Sequence, residues 1–229
     1  MIKIDCAVIP AYNEKETIAA VVRAITRSVR FCIVVDDGSI DGTGQLARQA
    51  GAQVIRLPKN LGTGKATQAG LRRTATLDVS SVVLLDADGQ HNPRVIPKLA
   101  RALSDDVDMV IGSRYLERSP FSTSVFRRFG TRFISFLFFA FWRMRIHDPT
   151  SGFRVFNRRV LRLFVRQYPS VFPEPESLLL LQKHGYVVKE IPIRMRKRRY
   201  GRSSIGFFKA VFLMVHILVT FAKIGVSRR

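Results

Sequence analysis

Through residue 112 the chain alternates short apolar runs with amphipathic stretches, and that alternation leaves few folds open to it. The spacing predicts strands at Ile2–Ile9, Phe31–Val35, Gln53–Leu57, Ser81–Leu85 and Asp108–Ser113. Between them it predicts helices over Glu14–Arg27, about Gly42–Ala50, Thr63–Thr76 and about Pro93–Leu103. Strands separated by single helices form βαβ units, which predicts an α/β fold: a mostly parallel sheet with helices on both faces. Ligands in such sheets bind beyond the carboxyl ends of the strands. Asn13, Glu14, Asp36, Asp37, Asp86, Asp88 and Arg114 all fall there.

The stretch LLDADGQHNP, residues 84–93, carries the most chemistry. The apolar run Val82–Leu85 leads directly into Asp86-Ala87-Asp88. Alternate residues of an extended chain point the same way, so both carboxylates can face one point. Two hard anionic oxygen donors at the end of a strand suit Mg²⁺ or Mn²⁺ holding a diphosphate. Alone, such a pair equally describes an acidic turn.

After residue 113 the alternation gives way to one or two helices over Ser122–Arg145, in which Phe126, Phe129, Phe133, Phe136 and Leu137 repeat at helical spacing. A strand at Ser151–Phe156, short helices at Arg158–Val165 and Glu176–His184, and a strand at Tyr186–Ile193 follow, before a last helix over about Ser204–Ile224. The charge also changes here. Residues 1–112 hold 14 Lys and Arg against 12 Asp and Glu; residues 113–229 hold 24 against 5, a net +2 against +19. A half this basic implies a polyanionic partner. Its basic residues mix with aromatic-rich apolar segments, FISFLFFAFW at 133–142 and FFKAVFLMVHILVTF at 207–221, which favours an anionic membrane surface over nucleic acid. Neither segment suits a membrane span: the longest uncharged run near the end, Ala210–Ala222, is 13 residues, and a span needs about 20. The opening residues lead straight into a strand, so no leader peptide is expected. Cys6 and Cys32 sit in apolar runs and read as buried hydrophobes in a reducing compartment. The four histidines have no metal spacing and read as structural or surface residues.

Seven motifs lie along this frame: IPAYNE (9–14), VVDDGSIDGT (34–43), NLGTGKATQAG (60–70), LLDADGQHNP, IGSRY (111–115), DPTSGFR (148–154) and RYGRSS (199–204). Together they resemble the family 2 glycosyltransferases, and within them the polyprenyl-phosphate sugar transferases, over about residues 2–205. The resemblance implies a GT-A-type domain over 1–203, with an interfacial helical insertion at 119–146, and a C-terminal amphipathic, membrane-associated helix over 204–229. It implies metal-dependent, inverting transfer of a sugar from a nucleotide-sugar to a polyprenyl phosphate. The expected place is the cytoplasmic membrane face, with the protein peripheral or monotopic. A small integral membrane protein could complete the lipid site.

The resemblance places Pro10, Tyr12, Glu14 and Asp37 on the nucleoside, and a metal and diphosphate on Asp86, Asp88 and Gln90. Arg198 and Ser203 fall in a loop that closes over the donor phosphates. Gly38, Lys65 and Ala87 complete the expected donor set. For Gly38 the reason is that a glycine lets backbone come close. For Lys65 it is a helix N-terminus favouring an anion, although the run Gly62-Thr63-Gly64-Lys65 lacks the nucleotide-loop pattern and reads equally well as a surface turn. Arg114 is expected to grip the acceptor phosphate with its fork, helped by Arg128 and Arg132. Asp88, Arg114 and Asp148 form the expected catalytic set. Asp148 is a candidate base, but a phosphate acceptor is already largely ionised at neutral pH, so the residue reads equally as a positioning group or as a partner of Arg154. Glu174 and Glu176 read as first-turn acids of a helix, or as an acid near the acceptor. Two rivals remain: transfer to a hydroxyl or another lipid, which would need a base such as Asp148, and non-enzymatic nucleic-acid binding, which leaves the strand-end carboxylates without a task.

Overall fold

The computed structural model describes residues 4–116, 125–196 and 212–220. Among the described residues seven strands form one sheet: β1 Ile4–Ala11, β2 Val29–Asp36, β3 Gln53–Arg56, β4 Ser81–Leu84, β5 Met109–Ser113, β6 Arg154–Asn157 and β7 Val188–Pro192. Their order is β3-β2-β1-β4-β6-β5-β7. All pairings are parallel except those of β6, which runs antiparallel between β4 and β5. The expected mixed, mostly parallel sheet is therefore present, and β6 supplies the mixed part.

Nearly continuous apolar strands need cover on both faces. Val82 and Leu84 of β4, Met109 and Ile111 of β5 and Phe156 of β6 face one side, where α3 (Thr63–Thr74), α5 (Val125–Trp142), α6 (Arg158–Gln167) and α7 (Pro173–Lys183) pack. Val83, Val110 and Val155 face the other, under α1 (Ile18–Ile25), α2 (Thr43–Gln49) and α4 (Ile96–Ala102). The predicted region Ser122–Arg145 is one helix, α5, within the described residues. It buries Ile134, Leu137, Phe138 and Trp142. Truncating a fully buried Phe such as Phe138 to Ala should cost about 3–5 kcal/mol.

The outer side of α5 is different. Phe129, Phe136, Phe139 and Phe141 are exposed, as are Arg128 and Arg132. Residues 212–220 form a further helix, α8, which buries Leu213 and Ile217 and leaves Phe212, Val215, Leu218 and Val219 exposed. His216 Nε2 lies 3.0 Å from Glu176 Oε1, tying α8 to the first turn of α7. Among the described residues no helix is long and apolar enough to cross a membrane. Arg198, Ser203, the RYGRSS loop, the boundary at 203/204 and the first part of the 119–146 insertion lie outside the described residues.

Candidate active site

The sheet order reverses between β1 and β4, which opens a crevice at the carboxyl ends of these strands. A small pocket there is lined by Pro10, Thr63, Thr67, Leu84, Leu85, Asp86, Gly152, Arg154, Tyr168 and Glu174. Pro10 and Asp86 were expected in the site; Thr63, Thr67, Gly152, Tyr168 and Glu174 were not singled out as donor-binding residues.

On the β1–β2 side the loops are stitched by side chain–backbone bonds. Asn13, in a left-handed conformation, donates its N–H to Ser39 Oγ at 3.0 Å and accepts the Ile40 N–H at 3.1 Å. Glu14 N–H reaches Thr43 Oγ1 at 2.9 Å, and the Glu14 carboxylate accepts from Thr17 Oγ1 at 3.1 Å. Tyr12 is exposed beside them. Asp37 is buried, and its two oxygens accept the Leu61 and Gly62 N–H groups at 2.8 and 2.9 Å. Its visible work is to hold the loop that enters α3. Gly38 has φ +73°, and a Cβ there would meet the Lys59 and Asn60 backbone at 2.5–2.8 Å, so the close approach runs to this loop.

The GTGK run is a helix start, with Lys65 exposed. Gly64 is there because a Cβ would strike the backbone of Pro169 and Ser170 at 2.6–2.8 Å. Packing of α3 against this turn accounts for the glycine, with no phosphate required.

Asp86 follows β4 with its side chain nearly half exposed. Ala87 is core: it is buried, and its carbonyl accepts from Thr17 Oγ1 at 2.8 Å. Asp88 Oδ1 accepts the Gln90 N–H at 3.0 Å. Gln90 ties this loop to the segment after β7, accepting the Arg196 N–H at 2.9 Å and donating Nε2 to the Arg196 carbonyl at 3.3 Å. His91, read from sequence as structural or surface, is buried behind the carboxylates and stacks on Phe153 at 4.8 Å. Its Nδ1 accepts the Asp86 N–H at 3.1 Å, so in the neutral ring the proton sits on Nε2, 3.8 Å from Asp86 Oδ2. Burial holds the imidazole below its usual range, against the opposing pull of Asp86 and Asp88. With its lone pair engaged, this ring braces Asp86 and leaves metal ligation to oxygen. Among the described residues no three His, Cys, Asp or Glu side chains gather to hold a metal alone. Asp86 and Asp88 still fit Mg²⁺ or Mn²⁺, which take one or two carboxylates and complete their shell with phosphates and water.

Across the sheet, Arg114 follows β5 and is buried. Its Nε and Nη2 grip Asp148 Oδ2 and Oδ1, both at 2.7 Å, and its own N–H reaches Oδ2 at 2.9 Å. Nη2 also donates to Thr150 Oγ1 at 2.8 Å. Burial opposes the guanidinium charge, and the Asp148 bonds more than offset it, so the group titrates above its ordinary range. The pairing of Asp148 with Arg154 weighed from sequence does not occur: Asp148 takes Arg114. Arg154 instead donates to the carbonyls of Ser151, Pro149 and Glu174 at 2.7, 3.1 and 2.8 Å and to Ser177 Oγ at 2.5 Å. β6 runs antiparallel, which carries Arg154 under α7 and away from Asp148; no local pattern encodes that.

Glu176 accepts the Phe172 N–H at 2.8 Å, the capping role read from sequence. Glu174 differs. It lines the pocket, and burial pushes its carboxyl up, with Arg154 pulling the other way.

Comparison with known proteins adds the ancestry. The model of the family described as glycosyl transferase family 2 matches residues 6–164. An uncharacterized protein of Methanocaldococcus jannaschii is 30% identical over 220 residues, covering 91% of this chain and 89% of its own. A UDP-N-acetylglucosamine–dolichyl-phosphate N-acetylglucosaminyltransferase of Methanococcus voltae is 28% identical, covering 90% of this chain and 92% of its own. Among solved structures, glucosyl-3-phosphoglycerate synthase of Mycobacterium tuberculosis with Mn²⁺, UDP-glucose and phosphoglyceric acid superposes with a TM-score of 0.72 at 21% identity, covering 97% of this chain and 80% of that one. That likeness establishes the shared GT-A fold.

Proposed function

The chain belongs to glycosyl transferase family 2 and is a glycosyltransferase, and on that premise we propose that it moves a sugar from a nucleotide-sugar to a polyprenyl phosphate at a membrane surface. The observation that carries the reading is Arg114: a buried guanidinium, held by Asp148 at the end of β5, across β6 from the Asp86-Ala87-Asp88 turn at the end of β4.

Asp86 and Asp88 would hold Mg²⁺ or Mn²⁺ beside the donor diphosphate, a reading that the Mn²⁺ and UDP-glucose in the mycobacterial synthase structure support. When bound, the ion neutralises charge that builds on the leaving nucleoside diphosphate. Pro10, Tyr12, Glu14 and Asp37 border the nucleoside, while Asp37 and Gly38 keep its floor in place. Gln90 and Ala87 shape the turn, and Lys65 stands exposed near the entrance. Arg198 and Ser203 belong to the segment that continues from Arg196, which Gln90 already holds. An acceptor phosphate oxygen attacks the anomeric carbon as the bond to the diphosphate breaks, with inversion. The acceptor arrives ionised, so the step needs aim. Arg114 supplies it, with Arg128 and Arg132 on α5 meeting phosphate or headgroups. Asp148, buried and with both oxygens engaged, serves as the seat of Arg114 and not as a base.

The exposed phenylalanines of α5 and the apolar outer side of α8, set among excess basic charge, support peripheral attachment to anionic lipid. The dolichyl-phosphate acceptor in the name of the Methanococcus voltae relative supports the lipid acceptor. The test is a panel of radiolabelled nucleotide-sugars incubated with the protein, undecaprenyl phosphate and Mg²⁺. Label should enter the organic phase as an acid-labile lipid. Label entering only a water-soluble product, such as glucosyl-3-phosphoglycerate when phosphoglycerate is offered, would overturn the reading.

A further inference from the structure

The seat of Arg114 itself rests on a carboxylate at the edge of the sheet. Glu190 lies in β7, opposite Ile111 of β5. Its Oε1 accepts the Asp148 N–H at 2.8 Å, and its Oε2 accepts the His147 N–H at 2.7 Å. The His147 ring meets the same Oε2 at 2.9 Å. The Glu190 side chain is almost fully buried, although β7 is the last strand of the sheet. Two successive backbone N–H groups on one carboxylate fix the peptide plane just before the Asp148 side chain. Asp148 then fixes Arg114 by three hydrogen bonds. β5 delivers the Arg114 backbone, so one strand pair, β5–β7, sets both ends of the arrangement.

We propose that Glu190 is a positioning residue for acceptor transfer: it orients the 147–148 turn, through that turn Asp148, and through Asp148 the Arg114 fork. The inference rests on the reading of Arg114 as the acceptor-phosphate residue. A carboxylate is required for geometric reasons. It offers acceptors on both oxygens. A glutamine would keep one and present an N–H₂ group to the other N–H, leaving a buried donor unpaired. A guanidinium displaced by a fraction of an ångström loses its in-line aim, and a misplacement of about 1 Å can cost about 100-fold in rate.

The experiment compares Glu190→Gln, Arg114→Lys, their double variant and Lys189→Ala, an exposed neighbour on the same strand. The assay uses undecaprenyl phosphate and the nucleotide-sugar identified by the panel above, with the KM of each substrate measured separately. Glu190→Gln should lower kcat/KM for undecaprenyl phosphate about tenfold and leave the nucleotide-sugar KM within about twofold. The double variant should be no worse than Arg114→Lys alone, because both changes disturb one unit. Lys189→Ala should match the parent protein. Losses shared equally between the two substrates, or additive losses in the double variant, would reduce Glu190 to a fold anchor and overturn the proposal. If Arg114→Lys itself spares the acceptor kinetics, the reading of Arg114 falls first and takes the proposal with it. Should Glu190→Gln not fold, Glu190→Asp keeps the charge and shortens its reach; the same split at smaller size supports the proposal, and its absence overturns it.

Discussion

Asp37 and Arg114 are both nearly sealed from solvent, yet they are held by different means. Asp37 is fixed by backbone N–H groups of the adjoining loop, Leu61 and Gly62, and the turns around it close on Ser39, Ile40 and Thr43. These partners lie in the loops at the ends of β1 and β2, at the start of α2 or at the entry to α3. Arg114 is fixed by a side-chain ion pair with Asp148, 34 positions away, which hangs on Glu190, a further 42 away. The proposed donor half is built from short motifs whose carboxylates accept backbone N–H groups close in sequence or in the adjoining loop. The proposed acceptor half is built from buried charged groups linked in series, Glu190 to Asp148 to Arg114. Losing one backbone contact to a carboxylate costs about 1.5–3 kcal/mol, whereas removing one partner of a buried ion pair costs about 3–5 kcal/mol, because the other charge stays behind. The acceptor half should therefore be the more brittle.

The largest effect should come from the proposed donor side, where the reading assigns a divalent ion to Asp86 and Asp88. Asp88→Ala, or chelation of the parent protein, should lower transfer by about three orders of magnitude or more while circular dichroism stays unchanged. Full turnover in chelator would remove the metal and break the division of labour at its strongest point. Next comes the fork. Arg114→Lys keeps the charge but loses the two-point grip on Asp148 that aims the group, and should reduce kcat/KM for the lipid acceptor by about 100-fold with nucleotide-sugar affinity intact. An equal loss of nucleotide-sugar affinity would move Arg114 into the donor half.

Asp148→Asn sharpens the contrast through stability. It leaves a buried guanidinium without its counter-charge, so unfolding in urea should occur with about 3–5 kcal/mol less stability. A variant that unfolds like the parent yet fails to transfer would point instead to a base at this position. Arg128→Gln with Arg132→Gln should weaken binding to anionic vesicles by roughly 30-fold, since each basic residue near such a surface contributes about 1 kcal/mol. High salt should imitate that loss only in part, because the exposed phenylalanines of α5 do not respond to screening. The smallest effect belongs to Lys65→Ala. With its side chain exposed and Gly64 explained by packing, transfer should stay within about twofold of the parent.

The same division marks what could be read in advance. The strands, the helices between them and the Asp86-Ala87-Asp88 turn were legible because each is encoded by neighbouring residues. The period of apolar positions sets a strand, and carboxylates at its end follow directly. The β6 reversal is not encoded locally, and it decides which arginine Asp148 meets. The sequence left Asp148 as a base, a positioning group or a partner of Arg154; in the structure it pairs with Arg114. His91 was passed over because a lone histidine near a turn has no signature until Phe153 and the Asp86 N–H are seen around it. Its place two residues after Gly89 in LLDADGQHNP was the one available hint. Glu190 gave no signal either, since Lys189-Glu190 reads as an ordinary solvent-facing charged pair in a short strand. Glu174 and Glu176 looked alike in sequence, and only their sides of α7 separate a pocket wall from a helix cap.

The most direct test offers two lipids that differ only in the group that Arg114 is proposed to hold. Undecaprenyl phosphate and undecaprenol would be presented in identical anionic vesicles with Mg²⁺ and the same radiolabelled nucleotide-sugar, and label in the extracted lipid counted. The account predicts transfer to the phosphate and none to the alcohol, with the phosphate signal lost in Arg114→Lys far more than in Lys65→Ala. Transfer to the alcohol at a comparable rate would contradict it, because a hydroxyl acceptor must be deprotonated and this site offers aim in place of a free base.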